Sequence, residues 1–423
     1  MKIAFFVHRF PALSEVFIAN TAAGLIDAGH EVDIYALDGR SDPGQARHDI
    51  VRRYGLEQRT RSFGVEGAPR RQLLMAPLAG LKVAARHGTR VATLAGGDVY
   101  TAERRGLRAL HEASIFRRGG KYDIIHCHFG TLAEPVLQHR EAGLLSGKVA
   151  IHFRGNDISQ HVQTHGKGVY DRTFRDADGF IANCQHFRDR AIELGAPTER
   201  IAVVASPVDM TSFSFSPPNW RSGEQLNLLG VGRLVEKKGF RYAIEAVARL
   251  TSEGLNPHLT LAGAGPLQDD LKTQASLLGV ESRVHFAGAV THSEVARLLA
   301  QTHIFLAPSL TARDGDSDAS INTLKEAMSA GVPFVASDHG GIPELVGDVD
   351  AGVLATEGDA SAITAGVEAL LARRDEWPQM AARGRARIES RYSIRSITTQ
   401  LTGVYQAIIN GQSLDDSTQE KMR

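Results

Sequence analysis

The sequence predicts an α/β protein of two domains, each a parallel sheet covered by helices, facing one another across a central cleft. Three observations predict it. Short apolar runs alternate with longer amphipathic runs along the whole chain, as strands alternate with helices in parallel sheets. At 423 residues the chain exceeds what one compact core holds, so two units of roughly 200 residues are expected. Between the halves, Ser214-Phe-Ser-Pro-Pro-Asn219 combines two prolines with small polar residues, as a linker does.

The elements follow in order. Ile3 to Val7 is a strand. Ser14 to Ala28 is a helix, with Ser14 as a cap and Gly29 to end it. Glu31 to Leu37 is the next strand. Further strands lie at Ile124 to Cys127, Val149 to Phe153, Gly179 to Ala182 and Ile201 to Val204. The second half repeats the style. Strand Asn227 to Val231 leads to helix Gly239 to Thr251, strand His258 to Ala262 to helix Leu267 to Leu278, and strand Val284 to Ala287 follows. Ser293 to Gln301 and His303 to Ala307 continue the alternation, and Val332 to Ala336 is a short apolar strand. After Glu376-Trp-Pro378 come two helical patterns, Gln379 to Arg391 and Ile394 to Ile409. The division is therefore a Rossmann-like domain over 1–213, a linker over 214–221, a second Rossmann-like domain over 222–391, a helix over 392–410 returning to the first domain, and a polar tail over 411–423.

Lysine plus arginine equals aspartate plus glutamate, 48 against 48, so no global field argues for nucleic acid. Charge is uneven locally. Basic side chains run from Arg61 to Lys121 with only Glu66, Asp98, Glu103 and Glu112 against them, interleaved with Leu73, Leu74, Met75, Leu78 and Leu81. Such a stretch fits an anionic membrane surface, and equally fits ordinary helices with a solvated arginine face. Cys127 and Cys184 are too few for a disulfide framework and read as small buried residues in a reducing compartment. The chain opens directly on a strand and holds no run of 18 apolar residues, so a cytoplasmic location is expected, peripheral if the basic stretch meets a membrane.

Asp318-Ala-Ser-Ile-Asn-Thr-Leu-Lys-Glu326 sets two carboxylates eight positions apart across a loop and a helix start. Ser320 or Asn322 is placed to cap that helix, and its free amides, with those of Thr323, suit a phosphate. Glu326 then lies one turn inside, within reach of ligand hydroxyls. The turn His339-Gly340-Gly341-Ile342-Pro343-Glu344 comes after the next strand. Gly230-Val-Gly232-Arg233-Leu-Val-Glu-Lys-Lys238-Gly239 follows a strand and precedes a helix. Its glycines admit a ligand close to backbone, and Arg233 and Lys238 supply the charge a leaving diphosphate needs. It is not a Walker A loop, which needs Gly-Lys-Ser/Thr. Taken singly, each motif is also what a surface helix or a solvated strand–helix turn looks like. His126 and His128 share a strand face and could bind metal, but no third ligand is evident. Asp314, Asp316 and Asp318 make an acidic loop that fits a sugar site better than a cation site.

The order Gly-Arg-Leu-Val-Glu-Lys-Lys-Gly239, Leu-Ala-Gly-Ala-Gly-Pro266, Val-His-Phe-Ala-Gly288, Ala-Pro-Ser309, Lys-Glu-Ala-Met328 and Gly-Gly-Ile-Pro-Glu344 resembles the donor half of retaining family 4 glycosyltransferases with the GT-B fold. Phe10-Pro-Ala-Leu-Ser-Glu-Val-Phe-Ile18 and Ile125-His-Cys-His-Phe-Gly130 are similar to the bacterial exopolysaccharide members, the colanic-acid and amylovoran type. The resemblance runs over nearly all of residues 1–410. It implies that Arg233 and Lys238 bind the donor diphosphate and that Glu326 binds the ribose hydroxyls. It further implies that Asp318 contacts the donor sugar and that Gly340, Gly341 and Ile342 hold sugar and phosphate through backbone amides. Ala289 and Val290 would meet the nucleobase, beside Gly232, Asn322 and Thr323. His128 would face the reacting centre, with Ser14, Glu15, Arg154 and Asp157 on the acceptor side. No metal and no cofactor besides the nucleotide-diphosphate sugar is implied. Four departures stand out: Asp318 for the usual Glu, Ala319-Ser320-Ile321 for Gly-x-Pro, Arg154 for His, and Ser206-Pro207-Val208-Asp209 for Asn-Gly-Val-Asp.

The function expected is a retaining sugar transfer to a saccharide acceptor, lipid-linked at a membrane face. The competing readings are an acceptor-independent epimerase of the same fold, and a non-catalytic nucleotide-sugar-binding subunit. Asp318 and Pro207 keep the latter open.

Overall fold

The protein is described here by a computed structural model covering residues 1–12, 15–38, 49–62, 115–116, 120–319 and 321–415. Ser14, Ser320 and nearly all of the basic stretch lie outside these residues, so neither the Ser14 cap nor the membrane reading meets the structure. Two parallel sheets organise the chain. The first holds β1 (Lys2–Val7), β2 (Glu31–Ala36), β3 (Thr60–Ser62), β4 (Lys121–Cys127), β5 (Ser146–Phe153), β6 (Gly179–Ala182) and β7 (Ile201–Val203) in the order β3-β2-β1-β4-β5-β6-β7. The second holds β8 (Leu226–Val231), β9 (Pro257–Ala262), β10 (Val284–Gly288), β11 (Ile304–Ala307), β12 (Phe334–Ser337) and β13 (Gly352–Ala355) in the order β10-β9-β8-β11-β12-β13.

The two-residue period of a strand shows in the cores. Ile3, Phe5 and Val7 enter one layer of the first domain, and Ala4 and Phe6 the other. Both layers are buried because crossover helices cover both faces of a parallel sheet, so β1 reads as an unbroken apolar run. Helix Phe240–Ser252 shows the helical period instead, burying Phe240, Ala243, Ile244, Val247 and Leu250.

Strand order reverses between β1 and β4 in the first sheet, and between β8 and β11 in the second. Loops leaving the carboxyl ends of strands flanking such a point turn opposite ways and leave a crevice. The two crevices face each other. The chain passes between domains twice, and the passes run together: Val208 pairs with Ser393, and Val208 N–H donates to the Tyr392 carbonyl at 2.9 Å. The returning helix, Ile394–Asn410, packs on Val16–Asp27 and buries Ile397, Leu401, Val404, Tyr405 and Ile408 in the first domain's core.

The strands read from the sequence form where expected, with ends shifted by up to three residues. Strands β3 and β13 and helices Ala133–Glu141, Gln185–Glu193 and Ala360–Ala372 were not read from it. The helix after the acidic loop is Asn322–Ala330 with Ile321 at the cap position and no side-chain cap. Asn322 is therefore the first helical residue and not the cap. Its Oδ1 instead accepts from Lys325 Nζ at 3.3 Å. Pro378 sits in the first turn of helix Trp377–Tyr392, where its missing N–H costs nothing, so that helix starts before Gln379. Among the described residues no helix is long and apolar enough to cross a membrane.

Candidate functional site

A cavity of about 1000 Å³ lies between the two domains. Glu15, Arg154, Asp157, Asn183 and Ser206 line it from the first domain. Gly232, Arg233, Lys238, Ala289, Val290, Asp318, Asn322, Thr323 and Glu326 line it from the second. Two hydrogen bonds join the domains, the first at the cavity's lining. Gln160 Nε2 donates to Asp314 Oδ2, and the backbone N–H of Gln185 donates to Glu344 Oε2 at 2.5 Å.

On the second-domain wall, the turn after β8 holds Arg233 and then a short 3₁₀ segment, Glu236–Lys238. Gly239 ends it with φ +61°, and a Cβ there would stand 1.8 Å from the Pro308 carbonyl. Only glycine fits, and the close approach fixes Lys238 against the loop after β11. Lys238 Nζ meets Asp318 Oδ2 at 2.7 Å, and Ser309 Oγ donates to the same oxygen at 2.8 Å. Lys237 Nζ lies 3.0 Å from Asp316 Oδ1 and 3.4 Å from Asp318 Oδ1. Burial alone would raise the Asp318 carboxyl, but Lys238, Lys237 and the Ser309 hydroxyl together hold it well below the usual carboxylate range. Deeper along the helix, Glu326 Oε1 lies 3.5 Å from His292 Nε2. Burial pulls the His292 imidazole down, and the Glu326 carboxylate outweighs it, leaving a net raise.

On the first-domain wall, Arg154 is 8% exposed and fully engaged. Its Nη1 donates to Ser206 Oγ at 2.8 Å and its Nε to the His128 carbonyl at 3.1 Å. Its Nη2 reaches His128 Nδ1 at 3.1 Å and His152 Nδ1 at 3.0 Å, and its guanidinium lies 4.6 Å from the Phe17 ring centre. A guanidinium has only donors, so both Nδ1 atoms must be acceptors and both rings neutral. His126 stacks on His128 at 4.2 Å and completes the column, its Nδ1 paired with the Tyr405 hydroxyl. Burial, with Arg154 close by, holds all three histidines well below their ordinary range. Burial also lowers Arg154 itself, to about 9, against the pull of Asp157, Tyr405 and Glu15. Asp157 accepts from the backbone N–H groups of Gly130, Arg154 and Gly155 at 2.7 to 3.0 Å, which fixes the loop after β5.

Two placements differ from expectation. His128 is fully buried and does not line the cavity, because Arg154 caps it. The chain presents a guanidinium where the imidazole was expected. Gly340, Gly341 and Ile342 do not line the cavity either. Gly340 has φ +55°, and a Cβ there would stand 2.3 Å from the Asp318 carbonyl, so the turn packs behind the acidic loop and supports it.

Three residues at the site were not singled out from the sequence. Lys237 joins the charge cluster beside Asp316, which belongs to the acidic loop read from the sequence, and His292 meets Glu326. Lys325 is wholly buried between the domains, where Nζ donates to the Ser206 carbonyl at 2.8 Å and lies 5.0 Å from the Tyr392 ring centre. Burial, then Arg154, lowers it to about 7 against Cys184, Glu344 and Glu326. Lys237 stood beside Lys238 in one motif and Lys325 opened Lys-Glu-Ala-Met328, but nothing in the local pattern shows that this helix lysine is buried. Among the described residues no group of three or more His, Cys, Asp or Glu side chains is arranged to hold a metal ion.

Comparison with known proteins adds the following. Residues 225–373 match the family described as glycosyl transferases group 1, and residues 14–207 match the glycosyl transferase 4-like domain. The chain is 33% identical over 414 residues to the putative colanic acid biosynthesis glycosyltransferase WcaL of Salmonella typhimurium, covering 96% of this chain and 100% of that one. It is 31% identical over 413 residues to the amylovoran biosynthesis glycosyltransferase AmsK of Erwinia amylovora, with the same coverage. Among solved structures, Anabaena HepE in complex with UDP-glucose superposes with a TM-score of 0.69 at 20% identity, over 96% of this chain and 100% of that one. Sucrose-phosphate synthase from Thermosynechococcus elongatus gives 0.70 at 17% identity, over 97% and 100%. The arrangement of two facing Rossmann-like domains is the GT-B fold.

Proposed function

The chain belongs to the group 1 glycosyltransferases, and from that premise we propose that it moves a sugar from a nucleotide-diphosphate sugar to a saccharide acceptor during exopolysaccharide assembly. The observation that carries the reading is the sidedness of the cavity. Arg233, Lys238 and the helix start at Asn322 form a cationic wall for a diphosphate, with Glu326 one turn deeper for ribose hydroxyls. Arg154 and Glu15 stand on the opposite wall, where the acceptor enters. UDP is the first nucleotide to test, because HepE holds UDP-glucose.

The reaction proceeds with retention at the anomeric carbon and without a metal. Asp157 is held by three backbone amides, so it is not free to attack the sugar. The leaving phosphate instead helps deprotonate the acceptor on the same face. Closing of the two domains on the bound substrates excludes water and limits hydrolysis. The acceptor is a lipid-linked saccharide, a reading that rests on the basic stretch between Arg61 and Lys121, and flotation with anionic liposomes at low salt tests it, an absence of binding removing that support.

The test begins with melting temperature in the presence of UDP, GDP, ADP and dTDP and their sugars. One nucleotide series stabilises the chain, by about 2.7 kcal/mol at a hundredfold excess over Kd. The shift disappears in Lys238→Ala and Glu326→Ala. Product from a radiolabelled donor then forms only with acceptor, is unaffected by a chelator, and keeps the donor's anomeric configuration by NMR. An inverted product removes retention. Turnover without acceptor favours an epimerase, and donor binding without any turnover favours an accessory subunit.

A further inference from the structure

We propose that Asp318 is the resident counter-ion of the phosphate site: its carboxylate holds Lys238, and shares Lys237, until a donor diphosphate displaces it. The proposal rests on the reading of the cavity as a nucleotide-diphosphate site.

Both oxygens of Asp318 are turned back onto the lysines. Oδ2 takes Lys238 Nζ at 2.7 Å and the Ser309 hydroxyl at 2.8 Å, and Oδ1 lies 3.4 Å from Lys237 Nζ. Among the described residues Lys237 has a second carboxylate, Asp316 at 3.0 Å, whereas Lys238 meets no carboxylate besides Asp318. Only 11% of the Asp318 side chain and 16% of the Lys238 side chain are exposed. An ammonium so enclosed needs an anion, because leaving it desolvated and unpaired is costly. The backbone of Asp318 is pinned by the Gly340 turn, and the side chain is one methylene shorter than glutamate. Until a diphosphate arrives the carboxylate therefore stays on the lysines. Lys238 lines the cavity beside Arg233, so a diphosphate approaching that wall meets a cation already neutralised from within. Binding is then an exchange of anions on Lys238. The fraction of lysine tied to Asp318 weakens apparent affinity by the same fraction.

The two possible roles of Asp318 predict opposite results in Asp318→Asn. If it is the counter-ion, its removal frees Lys238, and calorimetry shows UDP and inorganic diphosphate binding about tenfold more tightly than to the wild type. If it is instead a ligand of the donor sugar, UDP affinity is unchanged and only the UDP-sugar weakens, which overturns the proposal. Asp318→Ala reads the same contrast without placing an amide against the lysines, and ligand-free melting shows that each variant is folded. A UDP-bound structure of the wild-type chain is an independent check. Lys238 Nζ should leave Asp318 for a phosphate oxygen, and a Lys238–Asp318 pair still intact beside bound UDP overturns the proposal. A wild type that binds inorganic diphosphate and no nucleotide would sink the nucleotide reading, while the diphosphate arm still decides the role of Asp318.

Discussion

Arg154 decides the protonation of its surroundings. Its donors oblige His128 and His152 to stay neutral, and burial does the same for His126. Unfolded, each histidine takes up a proton near pH 6.5. Below that pH the unfolded chain binds more protons than the folded one, so acidification favours unfolding. The histidine contribution should be steady above pH 7 and fall below about 6.5, by up to about 1.4 kcal/mol per pH unit for each histidine, while Lys325, lowered to about 7, makes stability climb further as pH rises above that value. Urea unfolding between pH 7.5 and 5.5 measures this, and a stability that is flat or rises on acidification contradicts the neutral column. The sequence made His126 and His128 visible as a spaced pair on one strand. It did not show His152, because the third histidine arrives only through the pairing of β4 with β5, where Cys127 lies opposite Ile151. Nor did it show that Arg154 would cover His128, since side-chain contact across strands leaves no trace in local spacing.

Elements were legible where their faces differ strongly in polarity. Helix Ile394–Asn410 carries Ile397, Leu401, Val404, Tyr405 and Ile408 along one stripe, a period that announces both the helix and its buried face. Leu401 is 1% exposed in the first domain's core. Leu401→Ala should cost about 2–5 kcal/mol in denaturant unfolding, with cavity formation added to lost burial. A loss under 1 kcal/mol would mean that the helix is loosely docked. Helix Gln185–Glu193 was not legible, because charged and polar residues dominate it and it buries only Phe187, Arg188 and Ala191. β13 is four residues long and partly exposed at a sheet edge, too short and mixed to give a period. At Asn322 residue preference pointed to a cap, and tertiary context overrode it. Lys325, one turn on, draws the amide oxygen toward the interdomain junction.

At the scale of the whole molecule, the first domain is not a contiguous piece of sequence. Its sheet is complete by Val203, yet one face is covered by residues almost two hundred positions later. A chain ending at residue 391 should therefore expose the apolar layer of Ile3, Phe5, Ile18 and Ile124, bind a hydrophobic dye and lose cooperative unfolding of the first domain. Intrinsic fluorescence and dye binding on that truncation decide it, and a soluble, cooperatively unfolding product contradicts it. The same geometry ties the cavity to the crossings. Ser206 joins Arg154 to Lys325, and Lys325 joins the first crossing to the helix on the cavity's second-domain wall.

The sequence by itself determined the two parallel sheets, the helices that return the chain, and the chemical types at the site: a cationic turn, an acidic helix start and a glycine turn. These depend on local patterning, which the period of a strand or helix carries directly. Only the tertiary structure decided which groups satisfy one another. It paired Asp318 with Lys238 and Lys237, buried His128 under Arg154, and set the Gly340 turn behind the acidic loop instead of in the cavity. Buried charges and hydrogen-bonding groups must find partners. Which partner each finds depends on what the fold brings within about 3 Å, and here those partners lie as far apart in the chain as Lys238 and Asp318, or His126 and Tyr405.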